Sequence, residues 1–166
     1  MPSSGRSSPA NAGCTASQTT RWSERHDVAV GELADTIAGF ALFADLTTPQ
    51  RENVVDVFAE QWFADGEKVL RQGLSGSGLY IVLDGTAAIR IDGVDRATLR
   101  AGDYFGEISV LLGEAPTADI VAIGPLRCLV LPSSQVESFL KANPNVMFRL
   151  LQGEARKVRT TTKWLS

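Results

Sequence analysis

The residues of this sequence that could do chemistry are few: one histidine, two cysteines, and a glycine–glutamate pair in the stretch Phe105-Gly106-Glu107-Ile108-Ser109. A Ser-His-Asp triad or a jelly-roll metal site needs histidine held inside the fold. His26 precedes the first periodic apolar residues, and there is no second histidine, so neither chemistry is expected. Cys14 lies in a polar tail and Cys128 in an apolar run, which argues against a disulfide framework. Cys14 follows Ala12-Gly13 as in a lipoprotein cleavage site, but Met1 to Ala12 lacks the apolar stretch such a site requires. Gly73, Gly76 and Gly78 are not followed by the lysine of a phosphate loop and read as a hairpin loop. No catalytic residues, metal site or cofactor are expected, and the chain does not read as an enzyme.

The informative stretch is Phe105 to Ala122, FGEISVLLGEAPTADIVA. Gly106 lets a ligand approach the main chain closely. Free N–H groups at the start of a short helical turn over Ile108 to Leu112 would cradle an anion. Glu107 offers a carboxylate to a sugar hydroxyl, and Thr117 returns a hydroxyl on the next strand. The same residues equally describe a Gly-Glu turn and an exposed strand residue. Spacing alone leaves both readings open.

These residues need a scaffold, and the chain can build one. Its 166 residues are 44% hydrophobic and 21% charged, ordinary for one globular domain. The net charge of −3 speaks against a dedicated nucleic-acid binder, though not against a small basic patch at the C-terminus. No run approaches the ~18 apolar residues of a membrane span. A cytoplasmic, reduced setting is the expectation.

Residues 1–27 are rich in Ser, Thr, Pro, Ala and Gly and read as a disordered leader, mildly basic through Arg6, Arg21 and Arg25. From Val28 the spacing of Val30, Leu33, Ile37, Phe40 and Ala41 predicts a helix. Thr48-Pro49 predicts the start of a second, with Thr48 as cap and Val54, Val55 and Phe58 on its apolar face. Short apolar runs then alternate with Gly-containing turns, predicting strands over 68–71, 79–83, 86–91, 94–99, 118–123 and 126–131. Asp92-Gly93 is a two-residue hairpin signal. Ser134 and Glu137 suggest a capping box for a helix burying Val136, Phe139 and Leu140, which Asn143-Pro144 ends. A last helix from Asn145 carries Met147, Leu150, Leu151, Ala155 and Val158 down one side. Arg156, Lys157, Arg159 and Lys163 crowd its end and read as a dipole cap. The fold class is α+β, an antiparallel β-roll of jelly-roll type between helices, occupying 28–166.

Phe105 to Ala122 resembles the phosphate-binding cassette of the cyclic nucleotide-binding domain family, to which the catabolite activator protein and the regulatory subunits of protein kinase A belong, and the resemblance extends to its surroundings. IAGFALFADLTTPQRENVV resembles the family's opening helices, LYIVLDG and LRAGDYFGEISVLLGE its β-roll, and FLKANPNVMFRLLQ its closing helices. The glycine pattern recurs at Gly66, Gly73, Gly85, Gly102 and Gly106. The resemblance implies a regulatory, signal-transducing domain that binds cyclic AMP, or less favourably cyclic GMP. Glu107 would take the ribose 2′-hydroxyl. Gly106, Ile108 and Ser109 would make main-chain contacts to the phosphate or sugar, with Thr117 and Ala118 completing the cassette.

One position departs from the family. The resemblance places an arginine immediately before Thr117, paired with the phosphate; this sequence has Pro116. A charge-assisted bond to a phosphate oxygen is worth about 1.5–3 kcal/mol. The arginine also separates the phosphate from Glu107, whose repulsion at ~6 Å and an effective dielectric near 20 is roughly 3 kcal/mol. Its loss lowers affinity by a factor of about 10² to 10⁴. Asp119, on the same strand face as Thr117, would add negative charge. Arg90, Arg96 and Arg100 are candidates to compensate but read as solvent-facing strand residues. Weak cyclic-nucleotide sensing, and a degenerate domain kept as a protein-interaction module, are both consistent with these residues.

Family members that bind DNA carry a helix-turn-helix module after the closing helix, for which this sequence leaves no room, so direct DNA binding is not expected. A protein partner or a second copy would read the closing helix instead. Glu154 interrupts its apolar series, which weakens the case for a coiled coil. Trp164 reads as an anchor for the helix end or as a lid over a base.

Overall fold

The computed structural model describes residues 16–74 and 78–163. α1 (Ala16–Ala38), a 3₁₀ turn (Ala41–Phe43) and α2 (Thr48–Val57) precede six strands: β1 (Ala59–Phe63), β2 (Lys68–Leu70), β3 (Gly78–Ile91), β4 (Val94–Arg100), β5 (Tyr104–Phe105) and β6 (Asp119–Pro132). α3 (Glu107–Leu112) interrupts the strands, and α4 (Ser133–Ala142) and α5 (Pro144–Lys163) follow them. This is the α+β arrangement of a β-roll between helices.

α1 begins at Ala16, so Ala16 to Asp27 is helical rather than the irregular leader expected there, and the backbone of His26 lies within it. Elongating an existing helix needs no new nucleus. Once Ala34 and Ile37 are buried, the Ala, Gln, Arg and Glu residues upstream can extend it. Residues 1–15, with Cys14 and Arg6, lie outside the described residues. α2 is capped one residue earlier than its sequence suggests. Thr47, not Thr48, is the N-cap, and its N–H donates to Gln50 Oε1 at 2.9 Å. Arg51 of α2 donates to the carbonyls of Ala34 and Leu46 at 3.1 and 2.6 Å, tying the two helices together.

The strands are antiparallel in the order β1-β6-β3-β4, with β2 on β6 and β5 on β3. β3 and β6, of 14 residues each, replace four of the expected short strands. Asp84-Gly85 does not reverse the chain. It is a bulge, with register shifts between Val82 and Thr86, and such a bulge bends a strand without ending it. Asp92 (φ 51°) and Gly93 (φ 79°) do form the tight hairpin. β1 carried no alternation in sequence because it is exposed along most of its length.

Both faces of β3 and β6 are buried, which is why LYIVL and CLVL read as continuous apolar runs. Leu79, Ile81, Leu83, Leu129 and Leu131 pack under α1, α2, α4 and α5. Val82, Cys128 and Val130 alternate to the roll interior with Leu70, Phe105 and Ile120. Burial pushes the Cys128 thiol up to about 12.

The closing helices depart from expectation at the start of α4. α4 follows Pro132 directly and has no side-chain cap, so Ser134 and Glu137 form no capping box; Glu137 pairs with Lys141 instead. Its Val136, Phe139 and Leu140 are buried as expected, and Asn143 ends it by donating to Phe139 O at 2.9 Å. On α5 the buried residues are Val146 and Leu150, while Met147, Leu151, Ala155 and Val158 are exposed. Arg149 grips Asp45 with two bonds, of 2.6 and 2.8 Å, and this fixes the rotation of α5. Trp164 lies outside the described residues.

Candidate functional site

The site is a chamber of about 210 Å³ bordered by residues of the roll interior, by α3 and by Lys157 of α5. Gly106, Glu107, Ile108, Ser109, Pro116, Thr117 and Ala118 all line it, so the fold gathers every residue of the cassette at one place. Gly106 makes this possible. At φ 84° it turns the chain from β5 into α3, and a Cβ there would overlap the carbonyl oxygen of Gly78 on β3. Leu70, Ile89, Leu99, Phe105 and Ile120 supply apolar walls.

Glu107 is the first residue of α3 and only 4% exposed. A carboxylate so placed needs a partner. The partner comes from outside the cassette: Lys157 of α5 donates to Glu107 Oε1 at 2.7 Å and to Glu154 Oε1 at 2.9 Å. The same Nζ stands 4.6 Å from the centroid of the Tyr104 ring. Burial raises the pKa of Glu107, and the ammonium of Lys157 opposes that rise. Burial lowers the pKa of Lys157, but the two carboxylates outweigh it and the net shift is upward. Tyr104 donates to Glu154 at 3.1 Å, and its own pKa is raised, chiefly by burial.

Tyr104 also dictates a residue of α5. A Cβ at Gly153 would overlap the Tyr104 hydroxyl, so a glycine in mid-helix lets α5 lie against the roll. Gly153, Glu154 and Lys157 thus form one face of α5 docked on Tyr104 and Glu107.

Pro116 is buried in the chamber wall, and its carbonyl accepts the Gly73 N–H at 2.9 Å. Thr117 lies in the loop ahead of β6 and is exposed, not on the strand itself. Asp119 turns away from the chamber. Lys68 holds it at 2.6 Å and the Gln72 N–H at 2.8 Å, and these bonds keep its carboxyl below the usual range. The negative charge expected from Asp119 is therefore neutralised on β2. None of the three candidate arginines, Arg90, Arg96 and Arg100, lines the chamber; Arg90 pairs with Asp95 at 2.6 Å. Lys157 is the one cation among the described lining residues. In the sequence it reads only as part of a dipole cap. The sequence signal for it was the basic cluster itself, without any sign of which member turns inward.

The profile of the cyclic nucleotide-binding domain matches residues 60–143, half of the 166 residues. The chain belongs to the cyclic nucleotide-binding domain family. Among solved structures it is similar to the catabolite activator protein of Thermus thermophilus, at 27% identity and a TM-score of 0.70, over 75% of this chain and 61% of that one. It is similar in fold to the regulatory domain of Toxoplasma gondii PKA, solved with cAMP, at 24% identity and a TM-score of 0.66, over 77% of this chain and 50% of that one. A third is the N-terminal domain of a transcriptional regulator from Streptomyces coelicolor A3(2), at 24% identity and a TM-score of 0.62, over 79% of this chain and 95% of that domain. The chain thus spans 61% and 50% of the first two proteins. This cyclic nucleotide-binding domain has no helix among its described residues long and apolar enough to cross a membrane.

Proposed function

We propose that this domain is a non-catalytic sensor that binds a cyclic nucleotide weakly, cyclic AMP in preference to cyclic GMP, and reports binding through α5. Glu107 takes the ribose 2′-hydroxyl. Gly106, Ile108 and Ser109 contact the phosphate and sugar, and Thr117 and Ala118 close the cassette beside Pro116. The observation that carries this reading is the Lys157–Glu107 bond, which makes the sugar-binding carboxylate and the terminal helix share one contact. The preference for cyclic AMP is supported by the Toxoplasma domain having been solved with it. Weak binding follows from Pro116. The chamber is also smaller than the ~300 Å³ at which ligand pockets usually begin, so a nucleotide must shift a wall to enter. Lys157 joins α5 to Glu107 through ion pairs with Glu107 and Glu154, which a ligand at Glu107 would have to rearrange. Hydrogen exchange along α5 tests the output: cyclic AMP at millimolar concentration changes protection around 150–158, and unchanged exchange under saturating ligand sinks this part of the reading.

One observation favours a second reading, a degenerate domain serving as a protein-interaction module. Phe148, Leu151 and Val158 are 58, 63 and 65% exposed, and with Ala155 they recur at alternating intervals of three and four on α5. This seam is offset by one residue from the series that Glu154 interrupts. It would suit a second copy or a partner helix. Light scattering on the native chain and on Leu151→Glu decides the point: a dimer lost in the variant supports the seam, and a monomer at all concentrations leaves a second copy out.

A further inference from the structure

Lys157 borders two cavities. Besides the cassette chamber it lines an open cleft of about 890 Å³ between β4 and α5, with Ile91, Arg96, Arg156, Thr160 and Thr161. The cations of this cleft differ in how far their charge is spent. Lys157 is shared by Glu107 and Glu154, and Arg90, nearby on the same hairpin, is held by Asp95. Arg96 and Arg156 are exposed and make no ion pair among the described residues. Thr160 and Thr161 donate their hydroxyls to the carbonyls of Arg156 and Lys157, so the two guanidinium groups are the unspent donors of the cleft. Arg96 and Arg156, without an ion pair among the described residues, stand on different elements around one concavity and offer an anion two guanidinium groups at once.

Guanidinium groups take phosphate oxygens with paired N–H donors, a geometry no ammonium matches. We propose that this cleft is an anion subsite, adjoining the cassette chamber through Lys157, that takes the di- or triphosphate of a nucleotide whose sugar lies at Glu107. The inference rests on the nucleotide reading of the chamber. It relocates the cation missing at Pro116: the anionic part of the ligand is held by β4 and α5 instead of by the cassette. A cyclic monophosphate, with one charge confined to the cassette, leaves Arg96 and Arg156 unused.

The test is calorimetry of the full chain with cyclic AMP, ATP without magnesium, and inorganic pyrophosphate, on native protein and on the double variant Arg96→Ala/Arg156→Ala. Both side chains are exposed, so the variant folds as the native chain does, and its unfolding temperature checks this. ATP is expected to bind at least tenfold tighter than cyclic AMP and to weaken steeply as salt rises. The double variant is expected to lose at least tenfold for ATP and pyrophosphate, well beyond any change for cyclic AMP. Equal binding of ATP to native and variant chains overturns the subsite while leaving the cyclic-nucleotide reading intact. Arginine-dependent binding of pyrophosphate, with ATP binding no tighter than pyrophosphate, overturns the nucleoside part of the proposal, whereas the absence of any cyclic AMP binding is what overturns the sensor reading.

Discussion

The Nζ of Lys157 lies 2.7 Å from Oε1 of Glu107, a bond that spans 50 residues of sequence and joins the last helix to the first residue of the cassette helix. The two ends are unequal. The Glu107 side chain is 5% exposed and that of Lys157 is 51% exposed. Water can replace Glu107 around the lysine, but nothing replaces the lysine beside the carboxylate.

That asymmetry predicts unequal variants. Lys157→Met leaves a buried carboxylate without its charged partner and is expected to cost about 1–3 kcal/mol. Glu107→Gln leaves a lysine that keeps Glu154 and solvent, and should cost under about 1 kcal/mol. Urea unfolding of both measures the difference, and equal losses would show that the pair contributes symmetrically.

The same bond predicts a pH dependence. The pKa of Glu107 is raised above its ordinary 4.5. An acid with a higher pKa when folded binds more protons folded than unfolded, so its contribution to stability falls as pH rises from the ordinary carboxylate range through the folded value. Removing Lys157 raises that folded value further. The stability lost in Lys157→Met should therefore grow with pH above about 4.5. A loss independent of pH would mean that Glu107 is not the group left unpaired.

Gly153→Ala separates docking from helix strength. Alanine favours a helix interior by about 1 kcal/mol over glycine. Here the added Cβ meets the Tyr104 hydroxyl, with the ring carbon that carries it at 3.1 Å. The expected result is loss of hydrogen-exchange protection in α5 despite its higher propensity, with partial recovery in Gly153→Ala/Tyr104→Phe, which removes the overlapping oxygen. A single variant as protected as the native chain would show that α5 is not seated by this contact.

Cys128 is fully buried in the roll interior, with its thiol pushed up to about 12. Reaction requires the thiolate and access to it. In a Cys14→Ser chain, labelling of Cys128 is expected only at the rate of unfolding, and rapid labelling in native buffer would mean that the roll opens locally.

Much of this was legible in the sequence, for identifiable reasons. Gly106 and the residues around it cluster in sequence, so a local pattern could point to them, and the chamber gathers them all. Asp92-Gly93 announced its hairpin because a two-residue turn has stringent backbone demands. Asp84-Gly85 uses similar residues, yet whether they turn or bulge depends on a neighbour, β6, that sequence does not display. Which side of α5 is buried is not legible in the sequence, because α5 has apolar residues on more than one side. Arg149 and Gly153 choose the side, through Asp45 and Tyr104, each distant in sequence. Lys157 was hidden for the same reason: its meaning is a long-range contact.

The most direct measurement is calorimetric titration of cyclic AMP into the native chain and into Pro116→Arg, side by side with their unfolding temperatures. Weak binding by the native chain, abolished by Glu107→Gln and tightened by about 10² or more in Pro116→Arg, is the predicted result. No heat and no stabilisation in the native chain, at millimolar cyclic AMP, would contradict it.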